Sequence, residues 1–204
     1  MKKAVLSCCI LLMCQIIIIA DDSPSSSSRE ELDPYRLTFI RHGFYESVTS
    51  HAKTDRMIAF IESTFSEDYI SNEPILLSYY GALNALKAKH VFNPFSKISH
   101  LRSALNKLEE ATIDGACNLE VRFLRFSVLH NLPSFLRKSE ELEKEIYAVF
   151  ELLVVDEKYR ELDSETAFNV IEFVLDSKRL DEEQHKQLES LAERLQKYEH
   201  VSTD

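Results

Sequence analysis

From Leu32 to Tyr198 the apolar residues recur at intervals of three and four, and nowhere do they alternate with period two for the length of a strand. A chain patterned in this way buries its apolar stripes by packing helix on helix. The scarcity of breakers agrees: three glycines and five prolines interrupt 204 residues. Gly43, Gly81 and Gly115 stand singly, and none opens a G-x-G-x-x-G or P-loop run, so a glycine-rich phosphate cradle is excluded. The pattern predicts an all-α fold, an antiparallel helical array of about 7–8 helices over residues 32–200 with a short tail at 201–204.

The segments expected to be helical are 33–50, 54–66, 74–92, 99–112, 119–131, 139–158, 164–177 and a last one opening after Asp181. Pro74, Pro94 and Pro133 fall at their boundaries, where a missing amide does least harm. Asp181 and Gln184 have capping-box spacing, and Asp163 is the expected cap of the segment before. In the last segment Gln184, Leu188, Leu191, Leu195 and Tyr198 form one stripe. The segment 119–131 is apolar on more than one side, through Val121, Phe123, Leu124, Phe126, Val128 and Leu129. It is expected to be the central, most buried helix.

Residues 1–20 have the layout of a signal peptide: Lys2 and Lys3, then an apolar run from Ala4 to Ala20, then Asp21-Asp22-Ser23-Pro24. Uncleaved, the same run is an anchor giving membrane attachment through residues 4–20; lipidation is the weaker third option, because Met13 precedes Cys14 where a small residue is needed. Residues 21–31, with four consecutive serines at 25–28 and no apolar anchor, read as a disordered tether. These features place the chain outside the cytoplasm, periplasmic or envelope-associated. Cys8, Cys9 and Cys14 lie in the signal, so Cys117 is the remaining thiol of the mature chain, no internal disulfide forms, and Cys117 is expected to be a small core residue.

Around the expected central helix, Ala104-x3-Leu108-x2-Ala111, Asp114 and Asn118-Leu119-Glu120 resemble the second helix and linker of a tetratricopeptide repeat. Tyr80-Gly81 resembles the same repeat's Leu-Gly position, where a glycine lets two helices approach closely. Ala116 stands where the repeat has proline, and an expected long connection from Phe92 to His100 replaces its tight turn. Across most of the mature chain, Ala85-x2-Ala88-Lys89, Asn93-Pro94-Phe95-Ser96-Lys97 and Val121-Arg122-Phe123-Leu124-Arg125-Phe126-Ser127 are similar to a group of exported, uncharacterised bacterial proteins. That resemblance implies a helical fold with tetratricopeptide-like segments and implies no activity.

Candidate chemistry is sparse. Arg41-His42-Gly43 resembles the opening of histidine phosphatases, which implies His42 attacking phosphorus and Arg41 holding the phosphate. That mechanism needs a sheet to place the motif, whereas Leu37, Ile40, Phe44 and Val48 share one helical face. Glu182-x2-His185 is the one E-x-x-H pair of the mature chain, where a di-metal bundle needs two, so no metal and no cofactor is expected.

Charge is more informative. The chain carries −10 in all and −12 (22 basic, 34 acidic) without residues 1–20, which argues against a nucleic-acid partner. Between 85 and 138, however, nine basic residues face four acidic ones, a segment of +5 in a −17 surround. The preferred reading is that these cations pair with acids of neighbouring helices, since Arg122 and Arg125 sit on an almost wholly apolar helix. The alternative is a ligand-binding groove in which Lys87, Lys89, Asn93, Lys97, Arg122 and Arg125 receive a small anion or an acidic peptide. The function these features imply is protein interaction at the cell envelope by a non-enzymatic helical protein, with anion binding and a His42 phosphatase as alternatives. Oligomeric state is not encoded in any of them.

Overall fold

The computed structural model describes residues 31–201, with side chains through Gln196. The expected signal peptide, residues 21–30 of the expected tether, the side chain of Tyr198 and residues 202–204 lie outside that range. Among the described residues there are nine α-helices and no strand: α1 (Pro34–Ser47), α2 (His51–Thr64), α3 (Glu67–Asn72), α4 (Pro74–Lys89), α5 (Pro94–Asp114), α6 (Leu119–His130), α7 (Ser139–Val154), α8 (Ser164–Asp176) and α9 (Glu182–Val201). Short connections fold successive helices against each other, α1 on α2, α4 on α5, α6 on α7 and α8 on α9, in an antiparallel array.

Local chemistry explains the boundaries. Asp33, Ser50, Ser66, Asn93, Asn118 and Asp163 each accept first-turn amides as N-caps, and Pro74 and Pro94 open α4 and α5. The capping box at α9 is reciprocal: Gln184 N donates to Asp181 Oδ1 at 2.8 Å, and Asp181 N donates to Gln184 Oε1 at 3.2 Å. Two expectations need correction. The connection after α4 is the short stretch 90–93 rather than Phe92 to His100, because Asn93 Oδ1 accepts from the amides of Phe95 and Ser96 and starts α5 at Pro94. The ninth helix, α3, has six residues, too few for periodicity to register.

Two apolar clusters form the core. One joins α1–α4 to the end of α5 and the Val121/Leu124 side of α6. The other joins α7, α8 and α9 to Leu101 and Leu105 of α5 and to the Phe123/Phe126 side of α6. Helix α6 therefore sits between them, with Val121 and Phe126 fully buried. Gly81 of α4 lies where an added Cβ would be 3.0 Å from Leu108 and 3.2 Å from the Ala104 carbonyl, so the absent side chain lets α4 and α5 approach closely. Cys117, expected in the core, is exposed, because α5 ends at Asp114 and the buried Gly115 turns the following residues outward.

Two substitutions probe this core. Phe126→Ala removes a ring shared by α6 and the C-terminal cluster and is expected to cost about 3–5 kcal/mol in urea unfolding. Gly115 has φ of −91°, so its constraint is space: an added Cβ would stand 2.7 Å from the Ala111 carbonyl oxygen and 3.0 Å from Val121. Gly115→Ala is expected to destabilise by about 1–3 kcal/mol, and an unchanged urea midpoint would contradict that packing.

Candidate functional site

The central helix turns three charges toward its neighbours: Glu120 finds its counter-charge on α1, and Arg122 and Arg125 find theirs on α7. Glu120, 3 % exposed, accepts from Arg41 Nε of α1 at 2.8 Å through Oε1 and from Arg41 Nη2 through Oε2, a two-pronged guanidinium–carboxylate pair. The Tyr79 hydroxyl of α4 donates to the same Oε1 at 2.6 Å. The hydrogen bond to Glu120 is the main reason the Arg41 guanidinium holds its proton more firmly than usual. Burial, reinforced by the Glu120 charge, pushes the phenols of Tyr79 and Tyr45 up and keeps them neutral. Arg41 Nη1 also lies 3.8 Å from Asp163, the cap of α8, which ties the first helix to the C-terminal half.

On the opposite side of α6, Glu145 of α7, 1 % exposed, accepts from Arg122 Nη1 at 3.0 Å and from Arg125 Nη1. Arg122 Nε donates to the Ala116 carbonyl at 3.0 Å, and Arg125 Nη2 donates to Glu141 at 2.9 Å. Carboxylates so fully paired hold helices in place.

The six residues of the anion-groove alternative are thus dispersed. Arg122 and Arg125 face α7, whereas Lys87 lies 3.3 Å from Asp55 of α2. Asn93 is occupied as a cap. Lys89 is exposed and Lys97 half-buried, and neither makes an ion pair among the described residues. The Arg41-His42-Gly43 triplet lies inside α1: Arg41 is engaged by Glu120, His42 is exposed, and an added Cβ on Gly43 would run into Met57 of α2. His185 reaches Glu189 one turn on, at 3.3 Å, and no group of three or more metal-ligating side chains assembles among the described residues.

The concave surface lies elsewhere, in two adjoining clefts that sequence alone did not single out. One, of about 470 Å³, has a floor of Phe65, Ile70 and Leu77 and a rim of Glu62, Glu67 and Glu110. Across it the Tyr80 hydroxyl donates to Glu62 at 2.7 Å and Lys107 sits 5.7 Å from the Tyr80 ring centre. Burial first, and Glu62 second, raise the Tyr80 phenol to about 12. The other, of about 370 Å³, meets the first at Glu62 and is lined by His51, Asp55, Ile58, Lys87 and His90, with the two imidazoles stacked 4.7 Å apart. The signal available in the sequence was the acidic face of α2 and α5 flanking Tyr80; it is diluted among 34 acids. Comparison with protein-family models, curated proteins and solved structures returned no match.

The paired charges set a clear expectation. Glu145→Ala leaves Arg122 and Arg125 without their shared carboxylate and is expected to cost about 3–5 kcal/mol. Replacing Arg122, Arg125 and Glu145 together by apolar residues is expected to recover much of that loss. Equal destabilisation in the single and triple variants, measured by urea denaturation, would contradict the pairing.

Proposed function

We propose that this chain is a non-enzymatic helical interaction protein of the cell envelope, and that its cleft between α2, α3, α4 and α5 receives a basic segment of a partner protein. The observation that carries the reading is the make-up of that cleft: an apolar floor inside a ring of Glu62, Glu67 and Glu110. Lys107 over the Tyr80 ring supplies an internal example of the cation the cleft favours. The volume of about 470 Å³ is in the range of ligand-receiving clefts, and the chain's net charge of −10 draws basic partners toward it. The envelope address rests on the signal-like layout of residues 1–20, and the interaction class draws further support from the tetratricopeptide-like segments, with Gly81 seated between α4 and α5. The ion-paired Arg122 and Arg125 weigh against the anion-binding alternative. The engagement of Arg41 by Glu120 weighs against the phosphatase; turnover of p-nitrophenyl phosphate that disappears in His42→Ala would restore it.

A labelled peptide alternating lysine with leucine is expected to bind saturably. Glu62→Gln with Glu110→Gln should weaken it about tenfold, as expected for two ion pairs of up to about 1 kcal/mol each. Glu182→Gln with Glu183→Gln changes the net charge equally on the distant α9 and should leave the affinity nearly unchanged. Equal weakening by both pairs would reduce the interaction to net charge and overturn the cleft.

A further inference from the structure

The three most exposed phenylalanines are Phe92 at 102 %, Phe95 at 83 % and Phe135 at 71 %. Phe92 and Phe95 flank the turn from α4 to α5, and Phe135 lies in the connection from α6 to α7. The antiparallel order sends these two connections to one end of the array, together with those at 48–50 and 177–181. His51 at the start of α2 stacks on His90 at the end of α4, Arg179 Nε donates to His130 Nδ1 at the end of α6, and Leu132 and Leu136 share one apolar cluster with Ala88 and Leu101.

Lys89, Lys97 and Arg137 stand within three residues of the three rings along the chain and make no ion pair among the described residues; Lys138, Lys178 and Arg179 lie in the same connections. The acids at this end are Glu46, Asp176, Asp181 and the first-turn glutamates of α7 and α9, of which Glu46 is bound by Lys53, Glu141 by Lys138 and Arg125, and Glu182 by Lys186. The cations are felt inside the fold: burial first, then Arg179 and Arg137, hold the His130 imidazolium below its usual range. The opposite end is acidic, with Glu67, Asp68 and Glu73 between α2 and α4 and Asp156, Glu157 and Asp163 between α7 and α8.

We propose that this end is a peripheral membrane-docking surface, in which Phe92, Phe95 and Phe135 enter the interface of an anionic lipid bilayer while Lys89, Lys97 and Arg137 meet the headgroup phosphates. Exposed aromatic rings gain by moving to the headgroup level, and unpaired Lys and Arg are drawn to an anionic leaflet, so the two features act on the same occupant. A protein groove would account for the rings but would leave the ring of unpaired cations without a role. The surface is separate from the acidic cleft and stands or falls independently of it.

The chain contains no tryptophan, so Phe92→Trp in the full chain installs a single reporter. With vesicles of equal phosphatidylcholine and phosphatidylglycerol, the introduced indole is expected to shift its emission to the blue and become protected from iodide. Pure phosphatidylcholine should give no shift. Adding Lys89→Gln, Lys97→Gln and Arg137→Gln should weaken partitioning about a hundredfold, and salt should act in the same direction. Ile113→Trp, exposed on the far part of α5, should stay unshifted, which separates docking by this end from attachment through residues 4–20. No shift at position 92, an equal shift on neutral vesicles, or a shift that appears without lipid and rises with protein concentration would each overturn the proposal, the last by assigning the rings to another protein surface.

Discussion

Pairing the three charges that α6 carries against its neighbours, two of them buried, is the constraint on which the structure depends. Helix α6 is wedged between two apolar clusters and has no face fully open to water for Glu120, Arg122 and Arg125. An unpaired charge in such a place costs several kcal/mol, so each must be met by an opposite charge on a particular neighbour. Arg41 and Tyr79 meet the glutamate from α1 and α4; Glu145 and Glu141 meet the arginines from α7. Close apolar packing, as at Gly81 and Gly115, limits how far the surrounding helices can shift. The ion pairs demand one register, which is the best-supported use of buried charge.

The same antiparallel order that encloses α6 sorts the remaining charge by end. Connections alternate between the two ends, and the cations of the 85–138 segment fall largely at one of them, while the acidic turns and the Glu62–Glu110 cleft lie toward the other. The molecule thus has an acidic end with a cleft suited to basic chains and, toward the other end, an acid-free stretch around Phe92 and Phe95 suited to anionic headgroups. Seen in this way, the +5 segment divides into a buried part that orders the helices and an exposed part available for docking.

Most of the fold was legible in the sequence because it rests on local signals. The stripe Leu142, Ile146, Val149 and Leu153, the capping box at Asp181 and the prolines at 74 and 94 each speak within one or two turns of chain, and all are realised. Helix α3 escaped because six residues complete too few turns to show a period. The Asn93–Pro94 start of α5 is ambiguous in sequence, since a proline preceded by asparagine serves a loop or a helix start alike, and the cap bond decides it. The site was less legible. Pairing of Arg122 and Arg125 could be anticipated from their apolar surroundings, but their partner Glu145 was hidden among the exposed glutamates of α7, although its place between Leu142, Ile146 and Val149 marks it as inward. Arg41 and Glu120 are 79 residues apart, and no periodicity links positions so distant. The clefts are made by helices meeting across the array, so their composition emerges only once the packing is known.

If α6 couples the two clusters, they should open together. Residue-resolved amide hydrogen exchange of the native chain tests this most directly. The account predicts that α6 amides are the slowest, and that the buried amides of α2 and α4 and those of α7 and α8 share the same opening free energy and denaturant dependence as α6. Exchange of α1–α4 as a separate cooperative unit, with α6 remaining protected alongside α7 and α8 alone, would contradict it.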